Sequence, residues 1–93
     1  MRVRYTLSAL AELDEIFSHV AQHDSSAAHR IVERVEMIVK RLAEFPMIGH
    51  PVDEEGVRIV PLGRFPYILF YAMTEEAVII LHVRHAARLK PWE

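Results

Sequence analysis

Residues 65–85, FPYILFYAMTEEAVIILHVRH, form the strongest structural pattern in this chain of 93 residues. Two apolar runs, residues 65–73 and 77–85, are each long enough for a β-strand. The tight polar segment of Thr74, Glu75 and Glu76 separates them. Two such runs joined by a short polar turn are typical of a β-hairpin, so this stretch predicts a pair of antiparallel strands.

The N-terminal residues predict a short strand followed by a helix. In residues 3–7, apolar and polar side chains alternate with the period of two that marks a half-buried strand. From Ser8, the expected N-cap, the period changes to that of an amphipathic helix. The apolar side chains of this helix are Ala9, Leu10, Leu13, Ile16, Phe17, Val20 and Ala21.

A second helix follows a polar break at residues 22–26, with Asp24 or Ser25 as its N-cap. It is expected to run to about residue 45, where Pro46 stops it. Its apolar stripe consists of Ala28, Ile31, Val32, Val35, Ile38, Val39 and Leu42. Two amphipathic helices with a short connection predict an antiparallel helical hairpin, whose apolar faces need another layer to cover them.

The remaining segments supply that second layer. Residues 47–56 are predicted to be a loop, and residues 57–62 a short strand that Pro61 and Gly63 interrupt. The predicted order is β-α-α-β-β-β. We therefore expect an α+β two-layer sandwich, in which the helical hairpin packs on a mainly antiparallel four-stranded sheet, with residues 1–93 forming a single domain.

Charge distribution narrows the classes of partner. The formal net charge of −2 argues against a generic nucleic-acid binder. Residues 1–56 carry six Lys and Arg against ten Asp and Glu, whereas residues 57–93 carry five against three. The locally basic C-terminal part therefore suggests an acidic partner.

The cellular setting predicted from composition is a reducing cytoplasm. The chain has no cysteine, so it can form neither a disulfide nor a thiolate metal site. The apolar run near the N-terminus is too short for a signal peptide. The longest uninterrupted apolar stretch, residues 67–73, is far below the roughly 20 residues of a membrane helix, so no membrane partner is expected.

Several local strings resemble the RelE/ParE superfamily of type II toxin-antitoxin toxins, and more closely its ParE, plasmid-stabilisation branch. They lie in the expected order along nearly the whole chain, at residues 10–16, 27–28, 42–49, 65–71 and 80–88. The resemblance implies a toxin that inhibits DNA gyrase and replication without established catalysis, neutralised by a ParD-like antitoxin from a neighbouring gene. It implies no cofactor.

The same resemblance leaves two alternatives open. RelE-like members cut mRNA on the ribosome, using an arginine early in the third strand, at the place of Ile68 here, and an arginine or histidine at the place of Ala86. Their terminal tyrosine falls near Trp92, whose indole cannot act as a general base. In that alternative His85 and Arg84 would be the catalytic candidates, and direct nucleic-acid binding is expected only there. The second alternative is a non-toxic protein-binding module.

Residues for antitoxin or target binding are expected on the basic C-terminal part and on the open face of the sheet. They are Arg58, Arg64, Ile80, His82, Arg84, His85, Arg88, Lys90 and Trp92. Strict alternation along the last strand would place Ile80, His82 and Arg84 on the open face, and Ile79, Leu81 and Val83 against the helices.

No metal site is expected. His19 and His23 have helical ligand spacing, but they lie on a polar helix face without a thiolate or a clear third ligand. The acidic run at residues 53–55 is better explained as a solvated turn beside Gly56. These groups therefore do not point to metal chemistry.

Overall fold

Two helices pack on one face of a five-stranded sheet in the computed structural model, which describes residues 1–87. The elements are β1 (Arg2–Tyr5), α1 (Leu7–Ala21), α2 (Ser25–Glu44), β2 (His50–Pro51), β3 (Val57–Pro61), β4 (Tyr67–Met73) and β5 (Ala77–His85). The strand order is β1-β5-β4-β3-β2, and only the β1–β5 pair is parallel. Neither helix of the described part is long and apolar enough to cross a membrane.

The predicted α+β architecture is confirmed, and the sheet gains a fifth strand. This strand, β2, lies within residues 47–56, which were predicted to be a loop. His50 pairs with Ile59 and Pro51 with Arg58. A strand of two residues has no periodicity to detect, and proline is acceptable in it because β2 forms the sheet edge.

The helix boundaries confirm one predicted cap and correct the other. Asp24 caps α2, its carboxylate accepting a hydrogen bond from the Ala27 N–H at 3.0 Å. The N-cap of α1 is Thr6, so the prediction of Ser8 is wrong. Thr6 is favoured because its N–H also donates to the Ile80 carbonyl at 3.0 Å and its hydroxyl donates to the Leu81 carbonyl at 2.9 Å.

The core lies between the helices and the sheet. On the helix side it contains Ala9 of α1 and the α2 stripe, of which Val35 and Leu42 are almost fully buried. On the sheet side it contains Leu62, Leu69, Tyr71, Val78, Ile80 and Val83. The predicted hairpin of β4 and β5 thus supplies most of the sheet residues against which the helices pack.

A β-bulge in the central hairpin corrects the predicted facing of β5. Tyr71 pairs with Ile80, but the preceding residue of β4, Phe70, pairs with His82, so Leu81 is the extra residue. Ile80 and Val83 are therefore both buried in the core, at 0% and 1% exposure. The prediction that Ile80 lies on the open face is wrong, because the bulge resets the alternation between the two faces.

The hydroxyl group of Tyr71 ties the end of α2 to the sheet. It donates a hydrogen bond to the Pro46 carbonyl at 2.7 Å and accepts one from the buried Gly49 N–H at 2.9 Å. A Cβ atom at Gly49 would lie 2.6 Å from this hydroxyl, so only glycine allows the close approach. Arg58 secures the same segment, since its Nη1 donates to the carbonyls of Met47 and Gly49 at 3.2 and 2.7 Å.

Replacing Tyr71 with phenylalanine should lower the free energy of unfolding by about 1–3 kcal/mol, because the buried Gly49 N–H loses its acceptor. Urea denaturation would measure the change. The matched control is Tyr67→Phe on the same strand, whose hydroxyl has no hydrogen-bond partner among residues 1–87. Equal losses in the two variants would contradict the role given to the Tyr71 hydroxyl.

Candidate functional site

The end of β1 leaves half of β5 with a neighbouring strand, β4, on one side only. β1 pairs only with residues 77–80, so the backbone beyond Ile80 lies at the edge of the sheet. Glu12 of α1 takes the place of the missing strand, and its Oε1 accepts a hydrogen bond from the Val83 N–H at 3.2 Å. A side chain from the first helix thus completes the edge of the last strand.

The same carboxylate also binds the two side chains that flank Val83. Glu12 Oε2 accepts from Arg84 Nε at 2.6 Å, and Glu12 Oε1 lies 3.1 Å from His82 Nδ1. The side chain of Glu12 is only 17% exposed, so water screens these contacts less than it would on an open surface. The three contacts, called here the Glu12 clamp, neutralise part of the positive charge at this end of β5.

A cleft of about 660 Å³ opens beside the Glu12 clamp, between α1 and the ends of β4 and β5. Its lining combines acids, histidines, a tyrosine and an arginine. The lining residues are Glu12, Glu15, Ile16, His19, Tyr67, Val83, Arg84 and His85. Six of these eight residues have titratable side chains: Glu12, Glu15, His19, Tyr67, Arg84 and His85.

His85 is exposed at the mouth of the cleft, with its ring edge against Tyr67 at a centroid distance of 5.5 Å. Its Nδ1 accepts a hydrogen bond from the Ala87 N–H at 3.1 Å. Because a backbone N–H can only donate, the neutral ring carries its proton on Nε2. Neutral His85 can therefore donate a hydrogen bond outward, but its basic nitrogen is already engaged.

The predicted binding residues do not form one surface. His82, Arg84 and His85 meet near the cleft, whereas Arg58 holds the segment after α2 and Ile80 belongs to the core. Arg64 lies over the ring of Phe65 at the β3–β4 turn. The predictions for Arg88, Lys90 and Trp92 lie outside the described residues.

Sequence reasoning missed the contribution of α1 to the site. Glu12, Glu15 and His19 line the cleft together, although the amphipathic pattern marks them only as a polar helix face. Their spacing of three and four residues shows that they share a face. It does not show that the face lies beside a strand edge. Tyr67 was missed as well, because it belongs to an apolar strand pattern.

Neither His19 and His23 nor the acidic run at residues 53–55 belongs to a group of ligands that could hold a metal ion in the described part of the chain. The rings of His19 and His23 lie 6.0 Å apart between centroids. Within residues 1–87 no group of three or more His, Cys, Asp or Glu side chains could hold a metal ion.

Outside the cleft, the side chain of Tyr5 has a raised pKa. Burial raises the pKa of Tyr5 above its usual value, and the nearby carboxylate of Glu36 raises it further. A phenol with a raised pKa stays protonated at neutral pH. Tyr5 therefore packs between β1 and the helices as a neutral side chain and adds no charge to the site.

The helical hairpin on a five-stranded sheet is the architecture of small toxins of the RelE/ParE superfamily. It matches the chromosomal ParDE toxin-antitoxin system from P. aeruginosa with a TM-score of 0.78 and 27% identity, over 91% of this chain and 95% of that one. It also matches the DinJ–YafQ complex from E. coli with a TM-score of 0.69, over 96% and 98% of the two chains. At 14% identity, the latter likeness concerns the fold alone.

The sequence places the chain within this superfamily. The model of the family described as ParE toxin of the type II toxin-antitoxin system, parDE, matches residues 3–90. A putative toxin, Y4kP, from Sinorhizobium fredii is 40% identical over 90 residues, which are 97% of this chain and 93% of the relative. Toxin RelE2 from Caulobacter vibrioides is 33% identical over 88 residues, 95% and 98% of the two chains. The chain belongs to the ParE family of type II toxins.

Replacing Glu12 with alanine should lower the free energy of unfolding by about 2 kcal/mol, because the partly buried Arg84 and the Val83 N–H both lose a charged acceptor. Urea denaturation would measure the loss, and hydrogen exchange at the Val83 amide should become faster. The matched control is Glu15→Ala, an exposed carboxylate on the same helix and the same cleft. An unchanged exchange rate at Val83 would rule out the Glu12 clamp.

Proposed function

We propose that this ParE-family toxin acts in the cytoplasm by inhibiting DNA gyrase, without cutting nucleic acid itself, and that a ParD-like antitoxin neutralises it. Membership of the ParE family supports the choice of gyrase. The observation that carries the non-enzymatic part is that two groups expected of a RelE-like nuclease are missing. Ile68 stands in place of the arginine in the third strand, and Ala86 stands in place of an arginine or histidine after the last strand.

Cleavage of RNA through its 2′-hydroxyl needs a base, an acid and positive charge for the phosphorane. Here the Arg84 Nε and the His82 Nδ1 are held by Glu12, at 2.6 and 3.1 Å. The His85 Nδ1 is held by the Ala87 N–H. These hydrogen bonds fix the orientation of the three side chains but occupy only one nitrogen of each. A nuclease would also need the charged groups that Ile68 and Ala86 replace in this chain.

The position of Ile68 supports the same conclusion. The family resemblance places a nuclease arginine there, but Ile68 is 92% buried as an apolar partner of Arg84 across the β4–β5 pair. A second guanidinium is therefore missing beside Arg84. Of the cross-strand pair Ile68 and Arg84, only Arg84 carries a positive charge, and the Glu12 carboxylate neutralises part of that charge.

An antitoxin partner is supported by the relatives. The P. aeruginosa structure is of a chromosomal ParDE toxin-antitoxin system, and the E. coli structure is of a DinJ–YafQ complex. The locally basic C-terminal part of this chain suits an acidic antitoxin segment. Half-exposed apolar side chains such as Leu10 and Ile48 offer further surface for such a segment to cover.

The gyrase proposal is tested with the purified toxin in a supercoiling assay. We expect the wild-type toxin to inhibit supercoiling, and His85→Gln to inhibit it within about twofold of the wild type, because no proton transfer is involved. Transcripts from cells that express the toxin should remain intact. His85 is exposed, so its replacement does not disturb the core.

Two results would replace this proposal. Cleaved transcripts in the wild type that become intact in His85→Gln would establish the RelE-like nuclease alternative. Normal growth together with normal supercoiling would establish a protein-binding module without toxicity. A small ribbon-helix-helix protein encoded in the adjacent reading frame would support the toxin-antitoxin assignment by itself.

Antitoxin binding is tested by reversing charge at the end of the chain. The variants Arg84→Glu and Arg88→Glu should each weaken binding of the neighbouring-gene antitoxin by about tenfold, the loss of one charge pair. The matched control is Lys40→Glu, an exposed site on α2 with the same change in net charge. Calorimetric titration would measure the affinities. Affinities equal to that of the control would remove these arginines from the interface.

A further inference from the structure

Two arginines lie over one aromatic ring on the side of the molecule formed by α2 and the β3–β4 turn, and a third arginine lines the cavity beside them. The Cζ atoms of Arg34 and Arg64 lie 5.8 and 5.4 Å from the centroid of the Phe65 ring. Both distances allow a cation–π interaction. Arg30 lines the same small cavity of about 220 Å³, together with Glu33. This group is called here the arginine cluster.

The arginine cluster is ordered by the backbone before any partner binds. Arg34 Nη1 donates a hydrogen bond to the Leu62 carbonyl at 3.3 Å. Gly63 has a positive φ of 67° and packs against this guanidinium, and a Cβ atom at Gly63 would overlap Arg34 Nη1. Glycine is therefore needed both for the turn and for the position of Arg34. Because the Arg34 guanidinium is already held, it loses less conformational entropy when it binds a ligand.

The positive charge of the arginine cluster is not balanced. No described acid forms an ion pair with any of its three arginines, since both ion pairs within residues 1–87 belong to Glu12. Glu33 is the single acid that lines the cavity. Two like charges beside one ring repel each other, and a bound anion would relieve that repulsion. The surface is thus complementary to an anionic ligand.

We propose that the arginine cluster is a docking site for an acidic peptide segment of a protein partner. The site is separate from the cleft beside β5, and it holds whether or not gyrase is the target. Carboxylates can bind the guanidinium groups in the bidentate manner that arginine favours. Met37, which is 50% exposed at the edge of the cavity, offers contact for an apolar side chain of the same segment.

A peptide fits this surface better than a nucleic acid does. A phosphate backbone is a continuous line of negative charge, and it would meet Glu33 within the cavity. The N-terminal part that contains α2 is also acidic, with ten Asp and Glu against six Lys and Arg in residues 1–56. A short acidic segment can place its carboxylates on the arginines and avoid these acids.

The test uses the full chain and a labelled synthetic heptapeptide of sequence LEELEEL, with its glutamine counterpart LQQLQQL as the control ligand. Fluorescence anisotropy should show that the acidic peptide binds and the neutral one does not. Arg64→Gln should weaken binding of the acidic peptide about five- to tenfold, as expected for loss of one charge-assisted contact. Lys40→Gln, which removes one charge elsewhere on α2, should leave the affinity unchanged.

Arg64 is the preferred substitution because it is exposed, whereas Arg34→Gln also removes a hydrogen bond to the backbone. Binding that is absent at millimolar peptide, or equal in Arg64→Gln and Lys40→Gln, would overturn the proposal. Tighter binding of a dodecamer of thymidylate than of the acidic peptide would overturn it in favour of a nucleic-acid site. None of these results depends on gyrase, so failure here leaves the supercoiling test unaffected.

Discussion

The parallel pairing of β1 with β5 stops at Tyr5 and Ile80, and much of the structure follows from that stop. The chain leaves the sheet at Thr6, whose backbone and side chain remain bonded to β5 while it caps α1. The helix then passes beside the half of β5 that β1 leaves uncovered, so Glu12 can reach the Val83 N–H on that edge. Backbone groups at a sheet edge need a partner or water, and here a carboxylate from the neighbouring layer provides it.

This constraint has a chemical consequence at the candidate site. The carboxylate that completes the edge also holds His82 and Arg84, the side chains that sequence reasoning had offered for binding or catalysis. Because Glu12 holds both side chains, their orientation at the end of β5 is set before any partner binds. The arginine cluster lies on a different part of the surface, where no carboxylate of residues 1–87 forms an ion pair with it.

Elements with a clear period were predictable, and elements that depend on distant contacts were not. Both helices, the β4–β5 hairpin and the Asp24 cap follow from local patterns and are confirmed. The two-residue strand β2 has no pattern of its own and exists because β3 lies beside it. Thr6 replaces Ser8 as the cap because β5 holds it in place. The burial of Ile80 depends on a β-bulge, which strict alternation of side chains along a strand does not predict.

The sequence by itself determined the layers, the helical hairpin, the central β-hairpin and the resemblance to toxins of the ParE branch. These properties depend on the periodicity of neighbouring residues and on strings that stay in order along the chain. Only the tertiary structure decided that Glu12 meets Val83 and Arg84, 71 and 72 residues away, and that Arg34 and Arg64 share the ring of Phe65. Such contacts depend on where a strand ends and on how a helix lies across the sheet. The pattern of neighbouring residues predicts neither the strand end nor the helix position.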